Sequence, residues 1–132
     1  MSSSSPPSAG GDLVPAFAVG VLSVIVVLAT QAAIGPRSSV GDHPAVPLLT
    51  GLAFAFAAGI GTRSPASALG IAAMVGFPVW AIGDLVLHPG PHEGPEHGLL
   101  PIELLLYGGY MVLGYVAALL GRRLGRARRP AA

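Results

Sequence analysis

The chain has 132 residues, room for one domain, with 52% hydrophobic residues, 10% charged residues and a formal net charge of +1. A water-soluble globular domain carries roughly 25% charged residues, so this composition excludes an ordinary soluble fold and points to lipid as the solvent. Lysine and cysteine are absent, and five of the seven arginines fall in the last eleven residues; the charge is a basic tail on a neutral body, with no footing for nucleic acid, no disulfide, no thiolate metal site and no thiol catalysis.

The first residues, MSSSSPPSAGG, have almost nothing to bury and are expected to be a disordered tail over residues 1–12. They lack the basic start of a secretory signal, and the apolar run that follows is too long for one. That run, about residues 13–34, reads as a first span; at 1.5 Å per residue it reaches ~33 Å against a hydrocarbon core of ~30 Å. Ala16, Gly20, Ser23, Thr30 and Gln31 share one of its faces, which is expected to meet other helices while its valines and isoleucine meet lipid. After a turn-rich loop, a second and shortest span covers about residues 45–61, with Gly51, Ala55 and Gly59 at steps of four that let another backbone approach.

A short connection, Thr62 to Ser64, leads into a third span over about residues 65–88, with Ser64 as N-cap and Pro65 as first helical residue. Pro78 lies inside it and predicts a kink. A His/Glu/Pro/Gly loop separates it from a fourth span over about residues 99–121, and a basic tail follows over 122–132. Pro15, Pro47, Pro65 and Pro101 each stand in or near a first helical turn, where the missing amide has no intrahelical partner to lose. The fold expected is an all-α, four-helix transmembrane bundle, antiparallel up-down with short loops. With the C-terminus inside, Arg63 and the tail arginines face the cytoplasm and only Arg37 faces out. Both termini are then cytoplasmic in a multi-pass protein of the plasma (inner) membrane.

The segment from Gly83 to Glu103 holds three of the four histidines and four of the six acidic residues. Asp84 stands near the C-terminal end of the third span, where the helix dipole opposes negative charge, so it needs a partner, a cation or a proton. His88 lies four residues on, and Ala73, Phe77 and Trp80 share the same face. A helix ending at Gly83 would instead leave Asp84 among lipid headgroups. Glu103 falls at the third helical position if Leu100 is the N-cap, where a carboxylate favours the helix dipole by ~0.3–1 kcal/mol. Tyr107, Tyr110, Gly114, Ala117 and Gly121 lie within about 40° of Glu103 on an ideal helix, and Leu105, Val112 and Leu119 lie opposite. Asp84, His88, Glu103 and Tyr107 therefore form a candidate ion, proton or pairing site. His88, His92, His97 and Glu96 are candidate metal ligands by type, but Pro89, Gly90 and Pro91 break the helical turn that would align His88 with His92. No phosphate loop, nucleophile elbow or motif for a cofactor is present.

Four short spans resemble the small multidrug resistance transporters, but those carry a glutamate within the first span, and this chain has no acidic residue there. The run His97-Gly98-Leu99-Leu100-Pro101-Ile102-Glu103 resembles the start of the last span in uncharacterised small bacterial four-span membrane proteins. That likeness covers about residues 84–107 and implies no function. The expected role is a small non-catalytic membrane protein whose partners are the lipid bilayer and either further copies of itself, as a homo-oligomer, or a larger complex in which it is an accessory subunit. A proton- or ion-coupled transporter using Asp84 and Glu103 is the first alternative, and an outward-facing His/Asp/Glu metal site is the second.

Overall fold

The computed structural model describes residues 13–35, 43–87 and 100–128. The expected disorder of the N-terminal tail and the His/Glu loop with its candidate ligands fall outside these residues. The described residues are helical, with no strand among them: α1 (Val14–Ile34), α2 (Ala45–Gly61), α3 (Ala66–Met74), α4 (Gly76–Leu87) and α5 (Leu100–Ala127). α3 and α4 make one rod interrupted at Val75, so the described residues form four rods. Three of them, Val14–Ile34, Ala66–Leu87 and Pro101–Ala127, are long and apolar enough to cross a membrane. α2 is apolar but only 17 residues long, a rise of ~26 Å.

The prolines sit where a helix start tolerates them. Pro15 and Pro101 are second residues of their helices and Pro47 is a third. Pro65 differs from expectation: it is extended, with ψ 136°, and caps α3, which begins at Ala66. Ser64 is therefore not the N-cap. It is fully buried, and its carbonyl accepts a hydrogen bond from Arg122 Nη2, which holds the chain extended as it enters the helix. Leu100 is likewise the first residue of α5 and not its cap, and Glu103 stays within the first turn.

Pro78 exerts its effect one turn upstream. It has no amide to give the carbonyl of Met74, and its ring crowds that carbonyl. The ladder tightens there: Val75 N–H bonds the Ala72 carbonyl, three residues back, at 3.4 Å, and regular spacing resumes with Val79 N–H on the Val75 carbonyl at 3.2 Å. Gly76 N–H, displaced from the ladder, donates to Ser23 Oγ of α1 at 3.2 Å. A neighbouring hydroxyl thus satisfies the amide, as an apolar environment requires.

The buried residues form two layers. One contains Ala16 and Val19 of α1, Ala55 of α2, Ala66, Leu69 and Ala73 of α3, and Ala118 of α5. The other contains Val27, Met74, Phe77, Ala81 and Tyr107, with Leu48, Leu52 and Trp80 against them. Val19 and Val27 are inside, although the valines of the first span were expected to face lipid. They belong to a stripe, Ala16–Val19–Ser23–Val27, whose steps of three and four keep one helix face inward. Leu119, expected opposite the packed face of α5, also leans on the first layer.

Small residues set the spacing between rods. Gly59 lies against the backbone of Ala118, and Gly121 against the carbonyl of Phe56. A Cβ on Gly114 would stand 2.8 Å from the Gly70 carbonyl oxygen, one on Gly51 2.7 Å from that of Ala73, and one on Gly76 2.6 Å from that of Ser23. Threonine hydroxyls are spent within their own helices: Thr30, Thr50 and Thr62 each donate to the carbonyl four residues back at 2.8 Å, which lets a polar side chain sit in an apolar rod. Gly59→Val is expected to force α2 from α5 and cost about 1–3 kcal/mol or more. Gly61→Ala, at a position with nothing within 4 Å of an added Cβ, is expected to leave stability unchanged or slightly raised; denaturation by SDS titration in mixed micelles measures both.

Candidate functional site

The fold brings part of the acidic and aromatic end together. Phe77 of α4 and Tyr107 and Tyr110 of α5 form a ring cluster: Phe77 stacks on Tyr107 with centroids 5.5 Å apart and meets Tyr110 at 5.1 Å, and the two tyrosines lie 6.2 Å apart. Each such pair contributes about 0.5–1.5 kcal/mol beyond area burial. Phe77 and Tyr107 are buried, and Tyr110 and Trp80 are half-buried. These rings lie just beyond the interruption at Val75, beside Pro78.

Glu103 lies one turn before Tyr107 on the same face of α5 and is half-buried. Its place in the first turn lets the carboxylate face the positive end of the helix dipole. Asp84 lies inside α4, one turn short of Leu87, so the helix does not end at Gly83. The face it shares with Ala73, Phe77 and Ala81 is buried lower down, whereas Asp84 itself is exposed within the chain. His88, His92, Glu96 and His97 lie outside the described residues. Among the described residues no group of three or more His, Asp or Glu side chains comes together to hold a metal.

Two polar features were not singled out as sites by the sequence. The first is the Ser23–Gly76 bond, which couples α1 to the interruption between α3 and α4. The signal for it was a serine on the packed face of one span and a Gly-Phe-Pro run in another. The second is Arg122. Its Nη2 donates to the carbonyl of Arg63 at 3.1 Å and to that of Ser64, tying α5 to the turn between α2 and α3. Arginine in a C-terminal cluster reads as a topology signal, and nothing in sequence spacing links it to a turn 58 residues earlier.

Polar groups suited to line a path between the two ends are placed otherwise. Ser23 is taken by Gly76, and Ser67 and Tyr115 lie on the outer surface beside Ile71 and Val112. The hydrophobic core on the Arg63 side is alanine, valine and leucine, and the buried polar residue beside it is Ser64, whose carbonyl is taken by Arg122.

Ser23→Ala leaves the Gly76 amide buried without its acceptor and is expected to cost about 1–3 kcal/mol. In a Pro78→Ala background, where residue 78 regains an amide and the helical ladder can run unbroken, the same change is expected to cost less. A double-mutant cycle in mixed micelles measures the difference; strict additivity would mean that Pro78 does not create the need for Ser23.

No family model matches the chain, and no curated protein and no solved structure matches it.

Proposed function

We propose that the chain is a small multi-pass, non-catalytic integral membrane protein, an antiparallel bundle of four helices that works as an oligomer or as a subunit of a larger membrane assembly. Large apolar side chains cover its exterior: Phe17 is 76% exposed, Leu87 76% and Leu105 78%. A surface of this kind suits hydrocarbon and not water. Gly70 packs on Gly114 while Phe77 packs on Tyr107, which supports opposite directions for the third and fourth rods. Phe56 against Gly121 and Ile60 against Gly125 support a shared direction for α2 and α5. The short α2 is accommodated by local thinning of the bilayer or by polar residues reaching out from its ends.

The observation that carries the association reading is the pair Gly108–Gly109. Both are exposed on α5, and a Cβ on either meets nothing within 4 Å. Glycine inside a helix costs about 1 kcal/mol against alanine, and no close approach among the described residues offsets that here. A notch without side chains on a lipid-facing helix is where a second helix approaches closely. The chain has no native cysteine, so Gly109→Cys reports directly. It is expected to form a disulfide-linked pair in native membranes under mild oxidant, or to crosslink to a copurifying membrane protein, whereas Leu105→Cys, one turn away, does so less. A clean monomer with neither product removes the reading.

The bilayer is taken to be a bacterial inner membrane with both termini cytoplasmic, supported by the arginines at the α5 end and by the resemblance of the last span. Ser38→Cys is expected to react with an impermeant maleimide from outside intact cells, and Ala131→Cys only after permeabilisation. The reverse pattern would invert the orientation. A second reading, a proton- or ion-coupled carrier, is favoured by Asp84 lying within α4 instead of beyond it. Flux in proteoliposomes that falls in both Asp84→Asn and Glu103→Gln would promote it; unchanged flux would remove it.

A further inference from the structure

The end of the molecule where α2 and α5 finish is cationic and concave. Ile60, Thr62, Arg63, Arg122, Gly125 and Arg126 line a cleft there. Its floor exists because α5 presses on α2: a Cβ on Gly125 would stand 2.8 Å from the Ile60 carbonyl oxygen. Arg122, half-buried, is immobilised through Nη2 by the carbonyls of Arg63 and Ser64. A guanidinium has five N–H donors, so its other nitrogens still have hydrogens to offer. Arg63 and Arg126 are exposed and form the walls. Among the described residues the carboxylates are Asp84 and Glu103, at the end of α4 and the start of α5, which is the opposite end of the molecule. No described carboxylate neutralises the three guanidinium groups. Thr62 already donates its hydroxyl proton to Ala58, so the arginines supply the donors.

We propose that this cleft binds the phosphate of one anionic phospholipid headgroup. The proposal rests on the membrane reading above. Planar, forked guanidinium groups match phosphate oxygens bidentately, and a fixed Arg122 needs little further ordering to do so. A lipid is a better source than free phosphate because the cleft lies at the margin of the apolar surface, with Leu120 and Leu124 exposed on the same last turns of α5, so acyl chains have a wall to follow. A bilayer surface also concentrates anionic headgroups at this depth.

The test is native mass spectrometry of the full chain in mild detergent, with equal amounts of phosphatidylglycerol and phosphatidylcholine. One retained phosphatidylglycerol is expected, with a preference of roughly tenfold, as two or three partly screened arginines allow. The double variant Arg63→Gln/Arg126→Gln is expected to lose the preference, and Arg123→Gln/Arg128→Gln, which removes the same charge outside the cleft, to keep it. Arg122 is left intact because it also holds the turn, and unchanged helical circular dichroism confirms that both variants fold. Equal loss in the two double variants, or several adducts without preference, overturns the site. Displacement of the lipid by excess inorganic phosphate overturns the lipid as occupant, and retention supports it. A chain that stays in the bilayer through alkaline extraction but shows no preference sinks this inference alone; a chain released into the aqueous phase sinks the reading beneath it.

Discussion

Backbone meets backbone throughout this protein, and the arrangement depends on that closeness. In lipid, burying one apolar side chain against another gains little, because hydrocarbon is already apolar. What remains is dispersion between surfaces that fit, and dispersion falls away within an ångström of lost contact. Gly59 on Ala118, Gly121 on Phe56, Gly70 on Gly114 and Gly76 on Ser23 bring main chains within reach of one another. Larger side chains are pushed outward, so the molecule has a thin interior and an oily exterior, the reverse of a soluble domain.

The same closeness makes the interrupted rod tolerable. A proline inside an isolated helix in hydrocarbon would strand polar groups. Here α1 runs close enough at Ser23 for a hydroxyl to reach the Gly76 amide, and it can do so only because position 76 carries no side chain. Just past the interruption, Phe77 meets the two tyrosines of α5. A proline, a glycine and a serine on two different rods are thus three parts of one device, and the aromatic cluster sits beside it.

Much of the fold was legible in the sequence because the signals were periodic. The four apolar stretches, the inward row Gly51–Ala55–Gly59 and the packed face of α5 through Tyr107 and Gly114 all follow from 3.6-residue spacing and residue size. α3 starts one residue later than the Ser-Pro pair suggests, because that pair resembles a cap while the carbonyl of Ser64 is committed to Arg122. Val19 and Val27 are inside against expectation because hydropathy does not distinguish a buried valine from one facing lipid; both are equally apolar. The candidate site was less legible. Glu103 and Tyr107 share a face, as helical spacing dictates, but whether Asp84 approaches them depends on how two rods cross, and no local pattern encodes that. The long-range bonds of Ser23 and Arg122 were invisible for the same reason.

The latch formed by Arg122 has a bearing on how the molecule is made. The carbonyls of Arg63 and Ser64 turn between the second and third rods, and the side chain that secures them is encoded 59 and 58 residues later. When that hairpin leaves the ribosome its fastener does not yet exist. The first three rods therefore come together before their fastener exists, with the last acting as a keystone that arrives after the arch is drawn up. Synthesis that stops short of Arg122 would leave the first three rods whole, the last one cut short and the turn unlocked.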